Sequence, residues 1–438
     1  MGFILNCVYG LAILAALPWI VLRSVRTGRY RAGWKEKFLG LVSRTTDSKP
    51  VVWLHAVSVG EVQLLRTIVT GIESRYPDCQ LCISTTTRAG MELAEKAFSK
   101  RAVFYLPLDF TWAVRNAMQR IQPHLLVLVE LEVWPNLMKA AKRSNCAVVI
   151  VNGRLSKRSF EGYARFGWLT RSFFSKLDLI AVQDATYAER FKALGAPAER
   201  VVETGNLKFD GATSDRNHPE VLLRKTQLGL TSQHLVWVVG STQAPEEAYA
   251  IDAFRRLHTK FPQCKMIVVP RQPDRFDEVA RFLENSGFPF ARRSQAVDVS
   301  QKPWDILLAD SVGELRWWWG MADIGFVGGS FGDRGGQNMI EPAALGVSTA
   351  VGPNTKNFAD SVRILLEAKG LTQLERPEEL YEWALANLDS EEHRQSIGLH
   401  ASETASAHRG ALERTLNAIE PWMRNPSQND NLPKSGGK

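Results

Sequence analysis

Short runs of β-branched and other apolar residues recur along the chain, each followed by a helix-length stretch with apolar positions every three or four residues. The first set is VVWLH (51–55), LCIST (81–85), LLVLV (125–129), AVVIVN (147–152) and LIAV (179–182). The second is LVWVVG (235–240), KMIVVP (265–270), DILLAD (305–310), IGFVGG (324–329) and VSTAVG (347–352). Runs apolar on both faces and separated by helices predict parallel strands covered on both sides. Each set suffices for one doubly wound α/β domain, and 438 residues fit two such cores. Between them NLKFDGATSDRNHPEV (206–221) is turn-rich and reads as the linker. Ligands of such sheets sit beyond the carboxyl ends of the strands, so two domains facing across a cleft are expected. The expected layout is an anchor and basic collar over 1–45, a first Rossmann-like domain over 46–215, a second over 216–420, and a flexible tail over 421–438.

Ahead of the first strand, residues 2–22 (GFILNCVYGLAILAALPWIVL) contain no charged side chain. As a helix they reach about 30 Å, enough to cross a hydrocarbon core. Arg23, Arg26, Arg29, Arg31, Lys35, Lys37 and Arg44 follow, against Glu36 alone. A cleaved leader carries its positive charge before the apolar stretch. Here it comes after, which keeps everything from Arg23 onward on the cytoplasmic side. Asn6 and Pro18 interrupt the run, so a shallow interfacial anchor held by anionic lipid is a second reading, and a buried core helix is the bland third. The net charge of +8 is concentrated beside this segment, so membrane surface and not nucleic acid is the expected polyanion. The remaining composition, 45% hydrophobic and 23% charged, is ordinary for a globular chain. Cys7, Cys79, Cys82, Cys146 and Cys264 are odd in number and scattered, as free thiols of a reducing compartment are.

The tetrapeptide SVGE occurs twice, at 58–61 and 311–314, each time after an apolar run. Ser58 and Glu61 match a capping box. Glu61 also leaves a buried strand where the cleft is expected, and a carboxylate there can accept a proton from an alcohol. Glu130 directly follows LLVLV, and shares a face with Glu132 if the extended backbone continues. The bland reading of these two is a salt-bridged structural pair. Lys208, in GNLKFD, stands near the hinge. In the second half, GSTQAPEE (240–247) runs from a strand into a helix and can seat an anion on backbone amides. Pro270, Arg271 and Arg275 follow another strand, where arginine suits phosphate or carboxylate. The glycines of VGGSFGDRGGQNMIEPAALG (327–346) let backbone touch a phosphate, and Asn338 and Glu341, one turn apart, can meet sugar hydroxyls. There is no G-x-x-x-x-G-K-[ST], no H-E-x-x-H and no His/Cys cluster, so neither a P-loop nor a resident metal is expected.

Seven of these stretches, HAVSVGE, ELEVWPN, NGRLSKRS, GNLKFD, VPRQPDR, DSVGEL and GGSFGDRGGQNMIEPA, together and in this order resemble the 3-deoxy-D-manno-octulosonic acid (Kdo) transferases of Gram-negative bacteria, up to about residue 420. The resemblance implies a GT-B glycosyltransferase at the inner membrane. It would move Kdo from CMP-Kdo to a hydroxyl of a lipid A precursor (lipid IVA), with inversion and without metal or other cofactor. By motif position Glu61 is the general base, and Glu130 and Lys208 stabilise the transition state. CMP contacts fall on Pro270 and Arg271, on Val312, Gly313 and Glu314, and on Asn338, Met339, Ile340 and Glu341. Further donor or phosphate contacts are expected at Ser241, Thr242, Gly329, Ser330 and Gln337. The family commonly has histidine where this chain has Gln243, Gln272 and Gln337. Glutamine hydrogen-bonds but carries no titrating charge, which puts in question a donor-site role resting on imidazolium. Two other readings are open: another nucleotide-sugar-dependent GT-B transferase with a lipid acceptor, and a non-catalytic membrane-tethered nucleotide-sugar binding module.

Overall fold

A computed structural model describes residues 2–27, 32–45, 49–295 and 303–423. Arg29, Arg31, the side chain of Arg26 and the segment from 424 onward, most of the expected tail, lie outside the described residues. The described residues divide into two compact units: those up to Asp210 together with those from Arg409 onward, and those from Gly211 to His408.

The first unit is a seven-stranded sheet. Its strands are β1 (Val51–His55), β2 (Gln80–Thr85), β3 (Ala102–Tyr105), β4 (Leu125–Val129), β5 (Ala147–Gly153), β6 (Leu179–Val182) and β7 (Val201–Glu203). They are ordered β3-β2-β1-β4-β5-β6-β7 and every pairing is parallel. Alternate side chains of one strand go to opposite faces. Val51 and Trp53 enter one core, with Leu126, Leu128 and Phe174, while Val52 and Leu54 enter the other, with Ile68, Ile83 and Val127. Both faces are therefore covered by helix, which explains why the run shows no polar alternation.

The second unit repeats the plan. Strands β8 (Leu235–Thr242), β9 (Cys264–Pro270), β10 (Phe290–Arg292), β11 (Ile306–Leu308), β12 (Ile324–Val327), β13 (Ser348–Val351) and β14 (Thr372–Gln373) are ordered β10-β11-β9-β8-β12-β13-β14, again all parallel. In each sheet the order reverses beside the first strand, between β1 and β4 and between β8 and β12, and ligands of doubly wound sheets gather there.

Two boundaries differ from expectation. The first unit ends at Asp210, five residues before the expected 215, and the helix Ala411–Met423 packs on the first unit, not the second. Its Ala411, Leu416, Ile419 and Met423 complete the core that holds Val52 and Leu54. Asp210, the last residue of GNLKFD, anchors this helix: its Oδ1 accepts from the N–H of Gly410 (2.6 Å) and Ala411 (3.2 Å), and its Oδ2 accepts from Leu412. Those amides have no partner within the helix itself. Residues 421–423, expected in the tail, are its last turn.

Asp210→Ala therefore leaves the start of the returning helix uncapped. We expect a loss of about 1–2 kcal/mol, read as a lower midpoint in urea with unchanged slope, and unfolding of the first unit on truncation after residue 408.

Candidate active site

Glu61, Glu130 and Glu132 lie past the carboxyl ends of β1 and β4, at the β1/β4 reversal, whereas Lys208 follows β7, an outer strand of the sheet. Ser58 caps the helix Val59–Arg75, its hydroxyl accepting from Glu61 N–H at 3.4 Å. In return Glu61 Oε2 accepts from Val57 N–H (2.9 Å) and Oε1 from the Ser58 hydroxyl (2.7 Å). The capping box is real, yet both donors are neutral, and each oxygen, with two acceptor positions, has filled one. Gly60 beside it is exposed, and the nearest atom a Cβ would meet is Ser58 Oγ at 3.9 Å.

Glu130 does not continue the strand. Its φ of 62° is left-handed, so Glu130 and Glu132 do not share the face that an extended backbone would give them. The turn brings Glu130 Oε2 to 3.6 Å from Arg154 Nε, an arginine of NGRLSKRS just beyond β5. Glu132, by contrast, has no ion-pair partner among the described residues: a neutral group, the Trp134 indole N–H, donates to it at 2.9 Å. Burial, with the charge of Glu61 next in weight, pushes the Glu132 carboxyl up to about 7. Three carboxylates, Glu61, Glu130 and Glu132, thus share one corner.

Lys208 is positioned by its backbone. Asn152, at the end of β5, accepts the Leu207 N–H on its Oδ1 at 3.0 Å, and Asn206 caps Lys208 N–H at 3.0 Å. The short turn Leu207–Phe209 is held against the helix that carries Glu61.

In the second unit the glycine-rich loop after β12 is filled by the protein itself. Glu246, 1% exposed, takes the N–H of Gly329 (2.7 Å) and Gln243 (2.9 Å) on Oε2, and those of Ser330 (2.9 Å) and Phe331 (3.0 Å) on Oε1. Gly329 and Ser330 were expected to offer their amides to a donor phosphate. A buried carboxylate needs such donors, and Glu246 has taken them. Gly328 permits this: a Cβ there would lie 2.6 Å from Glu246 Oε2 and 2.8 Å from Ser241 O. Ser241 and Thr242 are buried, and Thr242 O accepts from Arg271 N–H at 3.0 Å.

Of the two arginines after β9, Arg275 is committed to Glu247 by two bonds, 2.8 and 3.1 Å, and to Glu278 at 3.2 Å. Arg271 is exposed, with Nε donating to Gln337 Oε1 at 3.0 Å. Pro270 is buried beside it. Gln243 and Gln337 both approach Gly329, their amide nitrogens 3.4 and 3.3 Å from the position of its missing Cβ. Gln243 and Gln272, with Glu246, Arg275, Asp333 and Arg334, line an open cavity of about 400 Å³. Gln243, Gln272 and Gln337 therefore stand around one site.

The second SVGE is built differently from the first. Glu314 accepts from Arg224 at 2.6 Å and from the Ser311 hydroxyl, and lies 3.7 Å from Arg293. Burial raises its carboxyl, but those hydrogen bonds and guanidinium charges outweigh it and hold it below the usual range. Val312, 77% exposed, and Gly313 form the open crest of that loop. Asn338 donates to Glu341 at 3.0 Å, and burial raises the Glu341 carboxyl. Between them Met339 and Ile340 are core residues, 0% and 1% exposed, so of the four expected CMP contacts only the two polar side chains reach outward.

Glu246, Glu247 and the state of Glu132 were missed by sequence reasoning. The available signal was two adjacent acids opening a helix straight after a buried strand, with no basic residue nearby in sequence.

Two doubly wound domains, with their polar loops gathered at the strand ends, define the GT-B class. A UDP-GlcNAc 2-epimerase from Neisseria meningitidis bound to UDP-GlcNAc shares this fold, with a TM-score of 0.55 at 10% identity over 85% of this chain and all of that one. A family profile described as 3-deoxy-D-manno-octulosonic-acid transferase (kdotransferase) matches residues 32–211. The 3-deoxy-D-manno-octulosonic acid transferase of Haemophilus influenzae is 34% identical over 93% of this chain and 95% of its own length. That of Bordetella pertussis is 33% identical over 95% and 99%. The chain belongs to the Kdo transferase family and is a glycosyltransferase.

Two outcomes test the site's electrostatics. A carboxyl raised to about 7 makes the folded state hold a proton that the unfolded chain releases near 4.5, so Glu132 costs stability progressively as pH rises between those values. Glu132→Gln should melt increasingly above the parent across that window and hold a constant advantage beyond it. Glu246→Ala strands four amides and should lower stability by roughly 3 kcal/mol or more, measured by chemical denaturation.

Proposed function

We propose that the enzyme transfers Kdo from CMP-Kdo to a hydroxyl of a lipid A precursor such as lipid IVA, with inversion, at the cytoplasmic face of the inner membrane. Family membership and the names of relatives aligned over nearly their whole length support the sugar and the pathway. The observation that carries the mechanism is the Glu61 carboxylate at the β1/β4 reversal, held by one amide and one hydroxyl and, among the described residues, by no cation.

The acceptor hydroxyl gives its proton to Glu61 while its oxygen forms a bond to the ketosidic carbon. The bond from that carbon to the CMP phosphate oxygen breaks as CMP leaves. Attack on the face opposite the leaving group inverts the centre. The ketosidic carbon gains oxocarbenium character, which the neighbouring Glu130 carboxylate stabilises. Lys208 offsets negative charge on the phosphate or holds the sugar's own carboxylate. A raised Glu132 carboxyl holds a proton near neutrality, which limits the repulsion that a third anion would add beside Glu61. CMP is already a good leaving group, so this scheme asks for no general acid and no resident metal.

On the donor side Arg271, positioned by Gln337, supplies an exposed cation for phosphate, and Asn338 and Glu341 supply hydrogen bonds for the ribose or base. Glu314 acts by fixing the Val312–Gly313 crest through Arg224. The three glutamines favour neutral hydrogen bonding to the donor sugar where the family commonly has imidazole.

Glu61→Ala should reduce transfer by roughly 10²–10⁴-fold while CMP affinity, measured by calorimetry, stays within about twofold of the parent. Normal turnover by this variant would remove the base assignment. Mass spectrometry of products from purified enzyme, CMP-Kdo and lipid A precursor tests the substrates, and full activity is expected to persist in EDTA.

A further inference from the structure

The N-terminal helix Gly2–Thr27 is apolar along most of its length and, over Gly2–Trp19, long and apolar enough to cross a membrane, with Asn6 and Tyr9 as polar side chains within that stretch. Asn6 and Tyr9, three residues apart, point the same way, and both are bonded to the first unit. The Asn6 amide donates to Thr111 Oγ1 at 2.8 Å, and its Oδ1 accepts the Thr111 N–H at 3.1 Å. That N–H opens the helix Thr111–Ile121 and has no partner within it. Tyr9 donates to Asp109 Oδ2 at 3.3 Å and meets Phe110 edge-on, with ring centroids 6.1 Å apart. Asp109 in turn accepts the N–H groups of Asn136 (3.0 Å) and Leu137 (2.8 Å), the start of the helix Pro135–Arg143. The anchor thus docks over two helix N-termini. The opposite face presents Phe3, Ile4, Val8, Leu11 and Leu14, each more than half exposed.

A helix crossing a bilayer would carry its first turns about 30 Å from the domain on the other side. It would take the Asn6 amide and Tyr9 hydroxyl into hydrocarbon without these partners. The segment after the helix returns to the same place: Trp112, next to Thr111, donates its indole N–H to Phe38 O at 2.9 Å, and Asn116 donates to Leu39 O at 2.9 Å.

We propose that this helix lies in the plane of the membrane, its outer face sunk into one leaflet of an anionic phospholipid bilayer and its inner face clasped to the catalytic chain through Asn6 and Tyr9. This commits between the two anchor readings open to the sequence, and it does not depend on which sugar is transferred. Charge complementarity names the occupant. Beside the start of the helix a groove of about 230 Å³ is lined by Arg115, Lys139 and Arg143 with no acidic side chain, a basic surface that suits headgroup phosphates. At the other end Arg23 sits over the Trp19 ring at 4.9 Å, an aromatic–cation pair suited to the interface.

The full-length protein is tested in three ways. With a cysteine-bearing tag ahead of Met1, a membrane-impermeant maleimide added to sealed spheroplasts of a bacterial host should leave the tag unlabelled until the membrane is permeabilised. Labelling from outside would establish a spanning helix and overturn the proposal. The double variant Asn6→Leu, Tyr9→Phe should lower the melting temperature of the detergent-solubilised chain by about 3–6 °C; an unchanged value would mean that the clasp does not exist. Leu11→Glu with Leu14→Glu should weaken co-sedimentation with 3:1 phosphatidylethanolamine–phosphatidylglycerol vesicles at least tenfold. Undiminished vesicle binding, with a dimer broken by the same variant, would assign the apolar face to a second copy of the chain and sink the proposal.

Discussion

A parallel strand buried on both faces has nowhere to place a charged side chain except beyond its last residue. β1 and β4 are covered on both sides, every position of each lying in the interior. Acidic groups appear only after the strand stops: Glu61 past His55, and Glu130 immediately past Val129. The same constraint acts in the second unit, where β8 and β9 lead to Glu246, Glu247 and Arg271. Desolvation keeps polar chemistry out of the strands, and the reversal of strand order beside the first strand collects what is displaced. Even His55, which remains inside the sheet, is held neutral, burial lowering it to about 4.

The two SVGE segments show how neighbours set the use of one motif. Both glutamates accept from the serine of their own tetrapeptide. Glu61 adds a backbone amide, whereas Glu314 adds Arg224 and Arg293. A carboxylate clamped by two guanidiniums is a strut, and one held by neutral donors keeps acceptor capacity for a substrate proton. Glu246 is the third variant. It draws four amides from two segments, Gln243 and the run Gly329–Phe331, closing the glycine loop that a phosphate would otherwise find.

Most of the fold was legible because central strands write themselves as uninterrupted apolar runs. All ten expected strands exist, with ends moved by a few residues. The four that were missed, β3, β7, β10 and β14, are the outer strands of the two sheets. They are two to four residues long and partly exposed, so nothing requires them to be apolar throughout. The returning helix Ala411–Met423 was placed with the wrong unit for a related reason. Its periodicity declares a helix with one buried face but not whose core that face completes, and the Asp210 clasp that decides it spans 200 residues of sequence.

The sequence by itself determined the class of architecture, the two-unit plan, the family, and which residues end each buried strand, because these follow from local periodicity and from motifs read in order. The tertiary structure alone decided what each of those residues touches. It turned Glu130 through a left-handed backbone, gave Glu132 an indole where the bland reading had an ion pair, and spent the Gly329 and Ser330 amides on Glu246. It also showed that Asn6 and Tyr9 face the body of the protein. Hydrogen bonds and charge interactions act over a few ångströms between residues far apart in the chain, and no pattern along the chain records that proximity.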